Sequence, residues 1–171
     1  MTWVDEVKAK IPDYAKDIKL NLDSVVNRSS LSTVEANGAA LAAAMAVGDK
    51  SLVDAIVESA VLNETTIFAA KAAASLMAMN NMYYPFLEMT NDSDLKSLKP
   101  ELRMNVYSNY GGVDKKLFEL FALSASIIGK CHFCVESHYG LLKKEGMTTL
   151  QLRDVARIAS VIAAVTKCTN S

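Results

Sequence analysis

Cysteine, proline, glycine and histidine are all scarce in this chain: three, three, seven and two residues among 171. So few prolines and glycines leave long stretches uninterrupted, and no run alternates valine, isoleucine and threonine at period two, as a half-buried strand would. A β-rich fold is excluded on both counts. Neither sign of charge dominates, with 18 basic against 19 acidic side chains, and neither half carries a long run of one sign. The chain therefore lacks the electrostatic footprint of a nucleic-acid or anionic-membrane partner, which leaves a small molecule or another protein. The first 22 residues alternate charged and apolar positions, with no continuous apolar core and no cleavage site, so they do not read as a signal peptide. The longest apolar stretches, such as GAALAAAMAVG at 38–48, fall well short of the roughly 20 residues that a membrane span requires. The expectation is a soluble, cytoplasmic protein forming one compact domain over residues 1–171, its 51% hydrophobic content sufficient for a sizeable core. In a reducing cytosol three cysteines make no structural disulfide framework, so a close pair points to catalysis or metal binding.

Alanine, leucine and methionine fill the space left by the missing residues. The pattern predicts an all-α fold of about eight helices, at 13–23, 32–47, 50–62, 65–80, 100–109, 114–128, 131–145 and 149–166. Ser32 with Glu35, and Thr148 with Gln151, fit the capping box that satisfies the free N–H groups of a first turn. Gly48, Gly129 and Gly146 stand where helices should stop. The polar segment 89–100, MTNDSDLKSLKP, is the best surface loop. A faint echo between TTIFAAKAAAS (65–75) and TTLQLRDVARIAS (148–160) needs a two-residue gap, and alanine-rich composition accounts for it as well as duplication does. The apolar surface of GAALAAAMAVG and IFAAKAAASLMAM exceeds what a monomer readily buries, which favours an oligomer. The eight methionines read as core or interface filler.

Chemistry concentrates in one place. Residues 131–138, CHFCVESH, hold both histidines and two of the three cysteines. On a helix, positions i, i+3 and i+7 share a face, so Cys131, Cys134 and His138 line one stripe. Cys131 falls in the first turn, where unpaired N–H groups and the positive end of the helix dipole favour a thiolate. His138, one turn beyond Cys134, is placed to exchange a proton with it. Upstream, Glu119 is the only acid between Asp114 and the cysteines, and Leu117, Phe118, Leu120, Phe121 and Leu123 surround it. A carboxylate so placed is buried on most sides and needs a partner. If the chain reverses at Gly129, Glu119 lies roughly 15 Å back along one helix and His138 roughly 10 Å along the next, within about a turn of the same level. A relay from Glu119 through His138 and the thiols is then geometrically open.

Other readings compete at this point. Two cysteines and a histidine can form a buried stripe of small residues with no chemistry, and Glu119 can neutralise Lys115 or Lys116 on a solvated face. Zinc held by Cys131, Cys134, His138 and His132 would need a ligand from elsewhere, and Cys168 stands alone near the other end, as an incidental thiol in a mobile tail. Val135 occupies the position where covalent haem attachment requires histidine. A thioredoxin-like dithiol would follow a strand, whereas a helix precedes this one.

The combination of a glutamate, eleven residues, Cys-x-x-Cys, three residues and histidine resembles the alkylhydroperoxidase D (AhpD) family of the carboxymuconolactone decarboxylase-like superfamily. Glu119, Cys131, Cys134 and His138 meet the motif. The likeness extends to IPDYAKDIKLNL (11–22), MAMNNMYYPFLE (77–88), LRMNV (102–106) and FELFALSASIIGKCHFC (118–134), nearly the whole chain. It implies an all-helical trimer that reduces organic hydroperoxides. By that resemblance Cys134 is the peroxide-attacking thiol, which passes through a sulfenic acid. Cys131 supplies a proton and closes the Cys131–Cys134 disulfide, and His138 and Glu119 form the proton relay. It also implies service to an AhpC-type peroxiredoxin, with dihydrolipoamide on a 2-oxoacid dehydrogenase component as electron donor and no bound cofactor or metal. One position departs from the pattern: the family's best-known members have histidine immediately before the second cysteine, where this chain has Phe133. His132 lies one residue earlier and is rotated by about 100°. Two further functions are carried forward, a superfamily decarboxylase without thiol redox chemistry and a zinc-stabilised interaction module.

Overall fold

A computed structural model describes residues 1–169. Among them are nine α-helices and no strand: α1 (Trp3–Lys10), α2 (Lys16–Asn27), α3 (Thr33–Val47), α4 (Lys50–Ser59), α5 (Glu64–Thr90), α6 (Ser93–Ser97), α7 (Lys115–Gly129), α8 (His132–Lys144) and α9 (Thr149–Thr169). No helix among the described residues is long and apolar enough to cross a membrane.

The bundle is organised around α3. Every residue from Ala36 to Ala44 is buried, because a helix apolar on all sides has no face to offer water. Alanine and glycine let the neighbouring helices α5, α7 and α9 approach closely. At Gly38 the approach is limiting, since a Cβ there would stand 2.2 Å from the Phe121 ring of α7. The Ser124 hydroxyl of α7 donates to the Ala39 carbonyl at 2.8 Å, tying the two helices across the core. Both ends of α3 follow from their chemistry. The Ser32–Glu35 capping box opens α3, and Gly48, left-handed at φ 83°, closes it.

Three expectations are corrected. A helix not among those expected opens the chain: Thr2 and Asp5 form a capping box, and α1 buries Trp3, Val4 and Val7. The Trp3 indole N–H donates to the Asn37 side-chain oxygen at 2.7 Å, fixing α1 against α3. The expected helix at 100–109 is absent. The segment forms two short 3-10 turns, Asn105–Ser108 and Tyr110–Gly112, with Tyr110, Gly111 and Gly112 all at positive φ. At Gly111 a Cβ would lie 3.0 Å from the Ala69 backbone, so the glycine pair sets a close approach to α5 rather than a helix end. Finally, α5 runs ten residues past the expected stop at 80 and carries Pro85 inside it. The proline removes one backbone hydrogen bond on a half-exposed stretch, a local loss that the helix survives because its face at Met77, Asn80 and Asn81 is buried against the bundle. The 89–100 loop correspondingly starts later and contains α6.

Candidate active site

Helices α7 and α8 form a tight hairpin. Gly129 ends α7 without a side chain because α5 passes there: a Cβ would fall 2.1 Å from Asn81 Nδ2. Lys130 then takes a left-handed conformation at φ 53°, and Cys131 follows immediately as the N-cap of α8. The chain therefore reverses at Lys130, one residue after the glycine expected to do it. Cys131 does not occupy the first turn but caps it, its Sγ accepting the Cys134 backbone N–H at 3.2 Å. Helix N–H groups favour charge on this sulfur.

Cys131 and Cys134 are joined as a disulfide with their Cα atoms 5.2 Å apart. Both sulfurs are nearly inaccessible, at 0% and 3% residue exposure. The i, i+3, i+7 face is present as expected, with Cys134 and His138 both buried on the inner side of α8. His132 points away and is exposed. The four candidate zinc ligands do not converge: two are in the disulfide, His132 faces solvent, and His138 is occupied elsewhere. Among the described residues no three Cys, His, Asp or Glu side chains are grouped to hold a metal.

His138 is occupied by Glu119. Its Nδ1 lies 2.5 Å from Glu119 Oε2, and both residues are buried, at 7% and 4% exposure. The sequence interval of 19 residues is spanned by the hairpin, which brings the carboxylate and imidazole to the same level without an intervening group. Glu119 does not neutralise a surface lysine. Lys115 pairs with Glu145 at 3.2 Å and Lys116 approaches Glu35 at 3.9 Å. Tyr107, from the turn before α7, is held un-ionised well above the usual phenol range, by burial first and then by the Glu119 charge. Its ring packs edge-on against Phe118, the residue before Glu119, with centroids 5.3 Å apart.

The remaining wall is α5, which sequence reasoning missed. Three positions on one helical face meet the site. Met77 Sδ lies 3.1 Å from His138 Nε2. The Asn80 carbonyl oxygen lies 3.8 Å from Cys134 Sγ. Tyr84 stacks on Phe133 with ring centroids 4.7 Å apart and planes 25° from parallel. The spacing 77, 80, 84 is the helical i, i+3, i+7 again, so the signal was present as a face. Nothing in methionine, asparagine or tyrosine marked it as chemical. Phe133 is thus explained structurally: it stands between the two cysteines and packs outward on Tyr84. Asn80 Oδ1, Asn81 Oδ1 and Ser126 Oγ are buried without a hydrogen-bond partner among the described residues. Cys168, expected in a mobile tail, instead lies in the last turns of α9, partly buried against the core.

Known proteins resemble this chain along most of its length. The profile of the carboxymuconolactone decarboxylase family matches residues 96–171, the part containing Glu119, Cys131, Cys134 and His138. The chain is 43% identical over 164 residues to a protein of Rhodospirillum centenum named alkyl hydroperoxide reductase AhpD, covering 95% of this chain and 88% of the relative. It is 44% identical over 160 residues to the protein of the same name from Coxiella burnetii (strain RSA 493), covering 91% and 90%. The AhpD of Maricaulis maris is 40% identical over 164 residues, covering 95% and 94%. The chain belongs to the alkylhydroperoxidase D family, within the carboxymuconolactone decarboxylase-like superfamily.

Proposed function

We propose that this protein is an alkyl hydroperoxide reductase that works through the Cys131–Cys134 dithiol. The observation that carries the reading is the juxtaposition of a two-cysteine disulfide with a buried carboxylate–imidazole pair on the hairpin that presents it. The names of the AhpD relatives support the same substrate class.

In the reduced protein the Cys134 thiolate attacks the outer oxygen of the hydroperoxide. An S–O bond forms, the O–O bond breaks, and the departing alkoxide takes a proton to become an alcohol. Cys131 then attacks the sulfenic sulfur, the S–S bond forms, and hydroxide leaves as water after protonation. His138 and Glu119 hold and return the protons of both steps. Cys131, stabilised as a thiolate at the helix cap, is suited to the resolving role. The disulfide is reopened by dihydrolipoamide carried on a 2-oxoacid dehydrogenase component, and the dithiol in turn reduces an AhpC-type peroxiredoxin. No bound cofactor or metal is required. The protein acts in the cytoplasm as a homotrimer, and the exposed Met82, Phe86 and Met89 of α5 support an assembled state.

Purified protein should consume an organic hydroperoxide in the presence of dihydrolipoamide, and Cys134→Ser should reduce consumption to the uncatalysed background. Undiminished turnover in that variant removes the proposal. Adding an oxidised AhpC-type peroxiredoxin separates direct peroxide reduction from service to a partner.

A further inference from the structure

The Met77 contact assigns protons that the relay alone leaves open. A thioether sulfur has lone pairs and no hydrogen to donate, so it can only accept. Its 3.1 Å separation from His138 Nε2 is shorter than a van der Waals contact between nitrogen and sulfur. Two lone pairs do not approach so closely in a buried site, whereas an N–H and a sulfur do. Nε2 therefore carries a proton. The other ring nitrogen, 2.5 Å from Glu119 Oε2, shares a second proton with the carboxylate. The pair holds two protons whether it is written as imidazolium with carboxylate or as imidazole with carboxylic acid. Its net charge is zero in both descriptions, which suits a site where His138, Glu119 and Met77 are all buried.

We infer that Met77 is a positioning residue for the relay: in the disulfide state its sulfur accepts the Nε2 proton of His138 and holds the pair in the two-proton form. The inference rests on the proposed dithiol chemistry for its purpose, though its geometry does not. When a dithiol donor reopens the disulfide, a donor thiolate, having lost its proton to solvent, attacks one cysteine sulfur. The S–S bond breaks and its electron pair leaves on the other cysteine, which must be protonated in a buried site. The Nε2 proton is held on the same buried face of α8 as Cys134. The donor's second thiol then attacks the mixed disulfide, returns its proton to His138, and expels the first cysteine, which takes a proton from solvent. The donor becomes a cyclic disulfide and the protein gains two thiols. No hydrogen bond joins His138 to either sulfur among the described residues, so this proton is directed at Met77 until the disulfide opens.

The test reads the proton directly. With only two histidines in the chain, nitrogen-15 spectra of the oxidised protein at pH 7 can be assigned by removing exposed His132 with His132→Gln. The expected wild-type His138 signal has Nε2 protonated. Met77→Leu preserves volume but offers no acceptor. It should lose the protonated Nε2 signature and slow reduction of the disulfide by dihydrolipoamide about threefold to tenfold, the worth of one hydrogen bond. Met77→Gln, whose amide oxygen can accept, should restore both. An unprotonated Nε2 in the wild type overturns the inference, and this spectrum alone decides if the variants do not fold. An unchanged signal in Met77→Leu, or no restoration by Met77→Gln, also overturns it. Because the spectra need no turnover, a protein inactive toward hydroperoxides that still shows the Met77-dependent signal would refute the proposed activity and leave the proton assignment standing.

Discussion

Two of the buried carboxylates among the described residues, Asp154 and Glu119, have surroundings that could hardly differ more. Asp154, on α9, is satisfied by fixed donors: the Ser30 backbone N–H and hydroxyl, each at 2.8 Å, and the guanidiniums of Arg153 and Arg157, each at 3.0 Å. Burial alone would raise its pKa, but Ser30, Arg157 and Arg153 outweigh it and hold the carboxyl far below the usual carboxylate range. Glu119, on α7, has one hydrogen-bond partner among the described residues, the His138 imidazole. Asp154 is locked into one charge state and pins the α2–α3 connection to α9. Glu119 faces an imidazole, a side chain that by its chemistry can take a proton or return it. Burial of a carboxylate does not identify a catalytic site. What distinguishes the two is whether the partner is a permanent cation or a proton acceptor.

The sharpest way to break this contrast is to neutralise each carboxylate without changing its shape. Glu119→Gln cannot share a proton with His138, and hydroperoxide turnover should fall roughly 100-fold or more, the contribution of positioned acid–base chemistry, while the unfolding midpoint moves little. Comparable activity in Glu119→Gln and wild type would place Glu119 with Asp154 as a structural group. Asp154→Asn should do the reverse. It leaves two guanidiniums and the Ser30 donors with a weaker acceptor, and thermal unfolding should occur roughly 6 °C lower, corresponding to about 2 kcal/mol. Turnover per folded molecule should be unchanged at temperatures where the variant is folded.

The same pair predicts a pH window. Because the folded-state pKa of Asp154 is depressed, its stabilisation is complete above the unfolded-state value of about 4 and is lost as pH falls toward the folded-state value. Denaturant melts of wild type and Asp154→Asn should therefore differ at pH 7 and converge progressively below pH ~4. A gap that stays constant down to acid would mean that the Asp154 cluster is not electrostatic. The smallest effect belongs to Phe133. Phe133→Ala removes the stack on Tyr84 and should cost about 1 kcal/mol in urea melts with Glu119–His138 intact. A loss as large as that of Asp154→Asn would show the aromatic pair to be part of the core rather than a cover over the cysteines.

The grouping of Glu119, Cys131, Cys134 and His138 was legible in the sequence because helices convert intervals into faces. Cys131, Cys134 and His138 follow from 3.6 residues per turn, and Glu119 from its apolar neighbours and the hairpin at 129–130. The all-helical fold followed from what the chain lacks. The wall supplied by α5 was not legible, since Met77, Asn80 and Tyr84 lie some 50 residues away and carry no chemical signature by type. Their role depends on which helix packs on the hairpin, and only tertiary structure settles that. The Asp154–Ser30 pin was invisible for the same reason. Other misses were local. Thr2 and Asp5 signalled α1 with the same box that was read correctly at Ser32 and Glu35. The expected end at 80 fell ten residues short, because a buried face holds α5 together past Asn81 and around Pro85. Residues 100–109 form only a 3-10 turn at Asn105–Ser108 and no α-helix, and the chain then turns sharply at Tyr110, Gly111 and Gly112 against α5.

The central claim is that Cys131 and Cys134 are a working dithiol rather than a structural bridge. It is tested most directly by a single turnover. The protein is reduced, freed of reductant, and mixed with one equivalent of an organic hydroperoxide, and its thiols are then counted and its peptides mapped. The account predicts loss of two thiols per alcohol formed, with a Cys131–Cys134 disulfide recovered and Cys168 still reduced. Alcohol formed with both thiols of the pair intact, or no alcohol formed at all, would contradict it.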